Sequence, residues 1–182
     1  IDAVDRAAEG FAKGRQSPEW VHKKAITTLS EHGITVQQGD GNAARVYDPN
    51  TKILTISNRI SAETARFQIL LQLALISQEK LLDATLDLAR FQSPEARAIA
   101  KIGLANYFAG AVLMPYREFL ETAQEERHDL ERLSSHFGVS IEQVAHRLST
   151  LQRPGNNGIP FFFVRVDQAG TITKRHSATR LQ

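Results

Sequence analysis

Apolar positions along the chain recur with two different periods, and the switches between them divide it into blocks. The opening IDAVDRAAEGFAKG has helical spacing and closes on Gly14. A second helix is expected from about Ser17, a good cap with Pro18 in the first helical position, to a stop at Gly33. Trp20, Val21, Ala25 and Leu29 form its inner face, with Lys24 on the border. The period then drops to two. ITVQ, ARVYD and KILTIS are short strand-like runs separated by GDGN and DPNTK, which predicts a small antiparallel sheet of three strands.

Helical period returns at Ser61 and continues to about Leu82. Another helix is expected after Ser93-Pro94, ending in AGAVLM before Pro115. Residues 116–150 predict three short helices, the last two joined by FGVS around Leu133, Phe137, Val139, Val144, Ala145 and Leu148. After QRPGNNGIP, the stretch FFFVRVDQAGTITKRH predicts a strand, an Ala-Gly turn and a second strand. Helices, sheet, helices and strands in that order give an α+β class, mainly helical, with a C-terminal β-hairpin. The expectation is one domain over 1–182, made of helices and sheet to residue 60, helices over 61–150 and strands over 151–182.

Composition narrows this picture only slightly. At 182 residues, 42% apolar and 23% charged, the chain is an ordinary globular one. It has no cysteine, which excludes disulfides, thiolate metal sites and cysteine nucleophiles and is compatible with a reducing cytoplasm. The longest apolar run, Ile69 to Ile76, is interrupted by Gln72 and is far shorter than the about 20 residues of a membrane span, so no membrane partner is expected. The formal net charge is +2, and acids and bases interleave as in EERHDLER, without the basic stripe of a duplex-binding surface. The chain opens inside helix-like sequence and stops soon after strand-like sequence, which suggests a piece cut from a longer protein.

Several motifs compete for chemistry. GDGNAA, Gly39 to Ala44, matches a loose dinucleotide pattern, but the following ARVYD is strand-like and a hairpin turn is favoured. The six histidines (22, 32, 128, 136, 146 and 176) include no pair four apart on one helix. LERLSSHFGVSIEQVAHRL has the outline of a DNA-binding helix-turn-helix, yet SIEQVAHRL offers Arg147 as its one cation, so a structural αα-hairpin is favoured.

The most informative stretch is RFQILLQLALI, Arg66 to Ile76. It has the frame of a metalloprotease helix, in which two histidines four apart overlie each other and hold the metal. Here those positions are Leu71 and Leu75, and the position of the general base is Gln72, which takes no proton at neutral pH.

RFQILLQLAL followed by ANYFAGAVLMP resembles the ImmA/IrrE metallopeptidase-like family, with Leu104 at the usual third-ligand position. The resemblance implies a zinc-less version of that domain, with no catalytic residues and no metal in this fragment. More specifically, ANYFAGAVLMPYREFL, FGVSIEQVAHRLSTLQRPG and GIPFFFVRVDQAGTITKRHSA resemble the short-chain fatty-acyl transcriptional regulators of actinobacteria over roughly residues 60–180. That family implies a non-enzymatic middle domain that senses coenzyme A (CoA) or a short acyl-CoA in propionate or acetate/glyoxylate metabolism. It also implies an N-terminal helix-turn-helix domain, absent here, as the sole contact with DNA, a missing cysteine-containing C-terminal segment associated with an iron-sulfur cluster, and a homodimer. Given such a ligand, Phe67, Leu71, Leu75, Leu104 and Phe108 are expected to form an acyl pocket. Arg165, Lys174 and Arg175 are expected to meet phosphates or adenine, with Arg66, Lys24, Tyr107 and Tyr116 as further candidates near the cleft. Two rivals stand beside this reading: an active peptidase of the same type, and a DNA-binding module built on FGVS.

Overall fold

The computed structural model describes residues 1–159 and 162–177. The chain divides into two compact units, Ile1–Pro115 and Tyr116–Gln182.

The first unit begins with α1 (Asp2–Phe11) and α2 (Pro18–Glu31). Ser17 caps α2 by accepting the Trp20 amide at 3.1 Å, and Gly33 ends the turn beyond it at φ 76°, a conformation that costs glycine little. Val21, Ala25 and Leu29 are buried along the helix as the spacing requires. Three strands follow: β1 (Thr35–Gly39), β2 (Arg45–Asp48) and β3 (Ile53–Ser57).

The sheet departs from the expected all-antiparallel arrangement. Its order is β1-β3-β2, with β1 and β3 parallel and β2 and β3 antiparallel. The DPNTK segment is a true hairpin turn, in which the Asp48 carboxylate accepts the Asn50 amide at 2.9 Å. GDGN is not. It arches over the end of β3, held by the Ser57 hydroxyl donating to Gly41 O at 2.8 Å and by the Ser57 and Asn58 amides donating to Ala44 O and Gly39 O. The most apolar of the three strands, with Leu54 and Ile56 buried, thereby takes the centre.

A second correction concerns the long helix from Ser61. It breaks at Gln78, giving α3 (Ala62–Ser77) and α4 (Glu79–Leu86). The Ser77 hydroxyl donates back to Leu73 O at 2.8 Å, a bond that competes with the helical ladder, and the change of direction buries Leu82 and Leu86. Helix α5 (Pro94–Leu113) starts on Ser93, whose hydroxyl accepts the Ala96 amide, and stops before Pro115 as expected. Arg15 donates to Leu113 O at 2.7 Å, placing a cation at the negative end of α5.

The second unit holds α6 (Tyr116–Glu125), α7 (Leu130–Phe137) and α8 (Ile141–Ser149), then two hairpins: β4 (Gln152–Arg153) with β5 (Asn156–Asn157), and β6 (Phe162–Val166) with β7 (Ile172–Ser177). The three helices and the C-terminal hairpin fall where the sequence pattern puts them. The small β4–β5 pair has no counterpart in that pattern, because PGNN supplies a turn with Gly155 at φ 77° but almost no strand alternation. Between α7 and α8, Gly138 takes φ 63°, and Ser140 with Gln143 forms a capping box. Leu133, Phe137, Val139, Val144, Ala145 and Leu148 are all buried. Arg147, the one cation of SIEQVAHRL, is 2% exposed and lies over the Tyr116 ring, so its guanidinium is directed inward rather than toward a nucleic acid.

Candidate functional site

Helices α3 and α5 pack on each other. Residues four apart on a helix share a face, so α3 presents Phe67, Leu71 and Leu75 in one row and α5 presents Leu104 and Phe108 in another. Burial is graded within these rows. Leu71 and Phe108 are 3% and 0% exposed, whereas Phe67, Leu75 and Leu104 are only half-buried. The five side chains expected to form a pocket are thus unevenly buried, Leu71 and Phe108 inside and the other three partly accessible.

No donor atom suited to a cation occurs at the positions where the peptidase frame would put metal ligands. Leu71, Leu75 and Leu104 carry hydrocarbon only, and Gln72 is a buried amide. Among the described residues there is no group of three or more His, Cys, Asp or Glu side chains that could hold a metal ion. The residues present do not fit a catalytic zinc, and no hydrolytic step can be routed through them.

An aromatic and cationic cluster adjoins Phe108. The ring of Phe11 stands edge-on to that of Phe108, with centroids 6.2 Å apart. The Lys24 ammonium lies 4.7 Å from the Phe11 centroid and 5.1 Å from that of Trp20, and it donates to Phe11 O in the last turn of α1. Lys24 is thus held both by rings and by a helix end. Arg66 is 9% exposed at its side chain and pairs with Glu19 at 3.7 Å. Beside them His22 has its pKa lowered, first by burial and then by the Arg66 charge, with Glu19 pulling the other way. Tyr107 is buried, and its hydroxyl donates to Asp5 at 2.6 Å. Sequence pattern does not single out Phe11 for the site. Its position in an amphipathic α1 reads as ordinary core, and only the α1–α5 contact brings it against Phe108.

In the second unit the expected hairpin brings Arg165 directly opposite Lys174 and Val164 opposite Arg175. Arg165 remains 58% exposed at its side chain, donating to Thr173 Oγ1 and pairing with Glu142 at 3.2 Å. The side chains of Lys174 and Arg175 lie outside the described residues. Tyr116 is 2% exposed, and its hydroxyl donates to Asn156 O at 2.9 Å and accepts the Arg153 amide at 2.7 Å. It is engaged in holding the β4–β5 pair.

Residues 29–149 match the family described as the IrrE N-terminal-like domain. The chain belongs to that family. Residues 150–182 match the family described as short-chain fatty acyl coenzyme A regulator, C-terminal. Both resemblances seen in the sequence are therefore borne out, as is the α+β class. The chain is 63% identical over 182 residues to the propionyl-CoA carboxylase regulator of Cereibacter sphaeroides, which covers 100% of the chain and 39% of that protein. It is 43% identical over 185 residues to the HTH-type transcriptional regulator RamB of Mycobacterium tuberculosis, covering 98% of the chain and 39% of RamB. Against the HTH-type transcriptional regulator PrpR of the same species it is 50% identical over 150 residues, covering 81% of the chain and 31% of PrpR. Among solved structures it superimposes on a Mycobacterium tuberculosis transcriptional regulator with a TM-score of 0.89 at 44% identity, over 100% of this chain and 56% of that one. This family member thus spans about two fifths of the length of the curated regulators it resembles.

Proposed function

We infer that the chain is the ligand-sensing part of a transcriptional regulator of short-chain fatty acid metabolism, and that it binds CoA or a short-chain acyl-CoA without turning it over. The observation that carries this reading is the replacement of the metal and base positions of a peptidase-family helix pair by Leu71, Gln72, Leu75 and Leu104. Helices α3 and α5 pack on each other, and in this reading the pair offers an apolar lining of the kind a short acyl chain takes. The regulator names of the relatives and the CoA in the name of the C-terminal family support the same ligand class.

In this reading the half-buried Phe67, Leu75 and Leu104 admit the acyl group, and Leu71 and Phe108 close the lining beneath it. One extra methylene contributes about 0.8 kcal/mol, roughly a four-fold preference for propionyl over acetyl. Stronger selectivity comes from the shape left by Phe67 and Leu104. Within the first unit Lys24 and Arg66 are the cations proposed for phosphates, exchanging their present partners Phe11 O and Glu19 for the ligand, and Trp20 and Phe11 are the rings proposed to meet an adenine once Lys24 turns to a phosphate. In the second unit Arg165 is the accessible guanidinium of the described residues on the hairpin, with Lys174 and Arg175 as proposed companions. Tyr107 and Tyr116 act by fixing the framework around these groups. DNA contact belongs to the remainder of the regulator, and ligand controls it by binding one of two states more tightly.

Calorimetric titration with CoA, acetyl-CoA and propionyl-CoA tests the assignment. All three are expected to bind, propionyl-CoA tightest, and Leu104→Gln is expected to level the acyl esters with CoA while leaving CoA itself bound. Absence of heat with every ligand at millimolar concentration removes the proposal. Stoichiometric zinc in the purified chain would revive the peptidase, and tight, steeply salt-dependent duplex binding by this chain would favour the DNA-binding module.

A further inference from the structure

Buried amides are ordinarily bonded, because a carboxamide taken out of water without a partner loses hydrogen bonds that nothing replaces. Six successive residues of α3, Ile69 to Ala74, are buried, and five of them are hydrocarbon. The sixth is Gln72, which is 6% exposed. Among the described residues its side chain makes no hydrogen bond. The other buried polar residues of the first unit are all engaged: Asp5 accepts from Tyr107, Ser57 donates to Gly41 O, and Arg66 pairs with Glu19. Nor is the Gln72 amide sealed off, so the small accessible part of the residue includes its polar end.

The position of this amide on the helix gives it a use. At 3.6 residues per turn, Gln72 stands about 100° from Leu71 and about 60° from Leu75 around α3, so it borders the row in which those leucines lie. A short acyl thioester carries, at the foot of its hydrocarbon chain, one polar atom that free CoA lacks. That atom is the carbonyl oxygen, an acceptor. A carboxamide supplies a donor of the matching kind, uncharged at any working pH, and the Nε2 hydrogens of Gln72 are uncommitted. With an acyl chain against Leu71 and Leu75, the carbonyl is the next group along the ligand, and Gln72 is the next side chain along the helix surface. Leucine at 72 would leave that oxygen without a partner in an apolar setting.

We propose that Gln72 distinguishes acylated from free CoA by donating a hydrogen bond from Nε2 to the thioester carbonyl. The inference rests on the ligand reading given above and adds to it a specificity-determining residue. No bond of the ligand is made or broken in this role.

Two ligands that differ in this one group test it by calorimetry: propionyl-CoA, and S-propyl-CoA, the thioether in which a methylene replaces the carbonyl. The wild-type chain is expected to bind propionyl-CoA about five-fold tighter than S-propyl-CoA. Gln72→Met, similar in length and without a donor, is expected to abolish the difference. It weakens propionyl-CoA about five-fold and leaves S-propyl-CoA and CoA unchanged. A merely structural role would weaken all three alike. Without ligand, Gln72→Met is expected to melt no lower than the wild type, because no hydrogen bond within the protein is lost; a fall of more than about 4 °C would show the amide to be committed to the fold. Such a fall, equal affinity of the wild type for the two ligands, a preference that survives in Gln72→Met, or equal weakening of both ligands each overturns the role of Gln72 and leaves the ligand class standing. Failure of the wild type to bind any of the three overturns both together.

Discussion

The Tyr107 hydroxyl donates a 2.6 Å hydrogen bond to the carboxylate of Asp5, joining α5 to α1 between two residues that are 6% and 3% exposed. Such a bond in a dry setting contributes more than its surface counterpart, because removing one partner leaves the other without water to replace it. Tyr107→Phe is expected to lower the unfolding free energy by about 1–3 kcal/mol. Urea denaturation checks this as a lower midpoint with an unchanged slope.

The emptied metal frame makes a constructive prediction. If α3 and α5 still hold the peptidase geometry, the combination Leu71→His, Gln72→Glu, Leu75→His and Leu104→Glu restores three ligands and a base on the two facing helices. The variant is expected to bind zinc stoichiometrically and to gain thermal stability with the metal, measured by atomic absorption and melting curves. A folded variant that takes up no zinc would show that the two rows no longer stand at ligating distance.

His22 provides a pH test. Its pKa in the folded chain is below the ordinary value of 6.5, chiefly through burial and then through the Arg66 charge, against the pull of Glu19. Because the folded state binds the proton less well than the unfolded state, stability is full above that value and is lost as the pH falls from there toward the depressed one. Urea midpoints recorded from about pH 8 to about pH 5 are expected to fall on the acid side, and His22→Gln is expected to flatten that part of the curve.

Tyr116 holds the β4–β5 pair from both sides of its hydroxyl, donating to Asn156 O and accepting the Arg153 amide. Tyr116→Phe removes both bonds while keeping the ring beneath the Arg153 guanidinium, 4.2 Å from its centroid. A loss of about 1–3 kcal/mol is expected. Hydrogen exchange is the sensitive readout, with the amide of Arg153 losing protection while those of α7 and α8 keep theirs.

The parts of the molecule written in short-range patterns are legible in the sequence. Caps at Ser17, Ser61, Ser93 and Ser140 start helices where a small polar residue precedes an apolar period, since the cap bond is made within three residues. The break at Gln78 is hidden because the apolar spacing runs through it, and only packing of Leu82 and Leu86 reveals the change of direction. The arch over β3 reads as a hairpin for a related reason. Gly-Asp-Gly-Asn permits a turn, and which strand lies beside β1 is settled by burial of Leu54 and Ile56 rather than by the turn residues.

The sequence by itself determined the chemistry that the α3–α5 pair lacks: leucines at 71, 75 and 104 and a glutamine at 72 cannot become ligands or a base in any conformation. It also determined where most of the helices start, because those signals lie within one or two turns of chain, though not the break that separates α3 from α4. Tertiary structure alone decided which apolar residues became buried and which stayed accessible, that Phe11 reaches Phe108, that Asp5 meets Tyr107, and that Ile99 and Ile102 on α5 stay exposed. These are contacts between residues far apart in sequence, selected by the collective fit of packed faces. Local propensity carries no information about that fit.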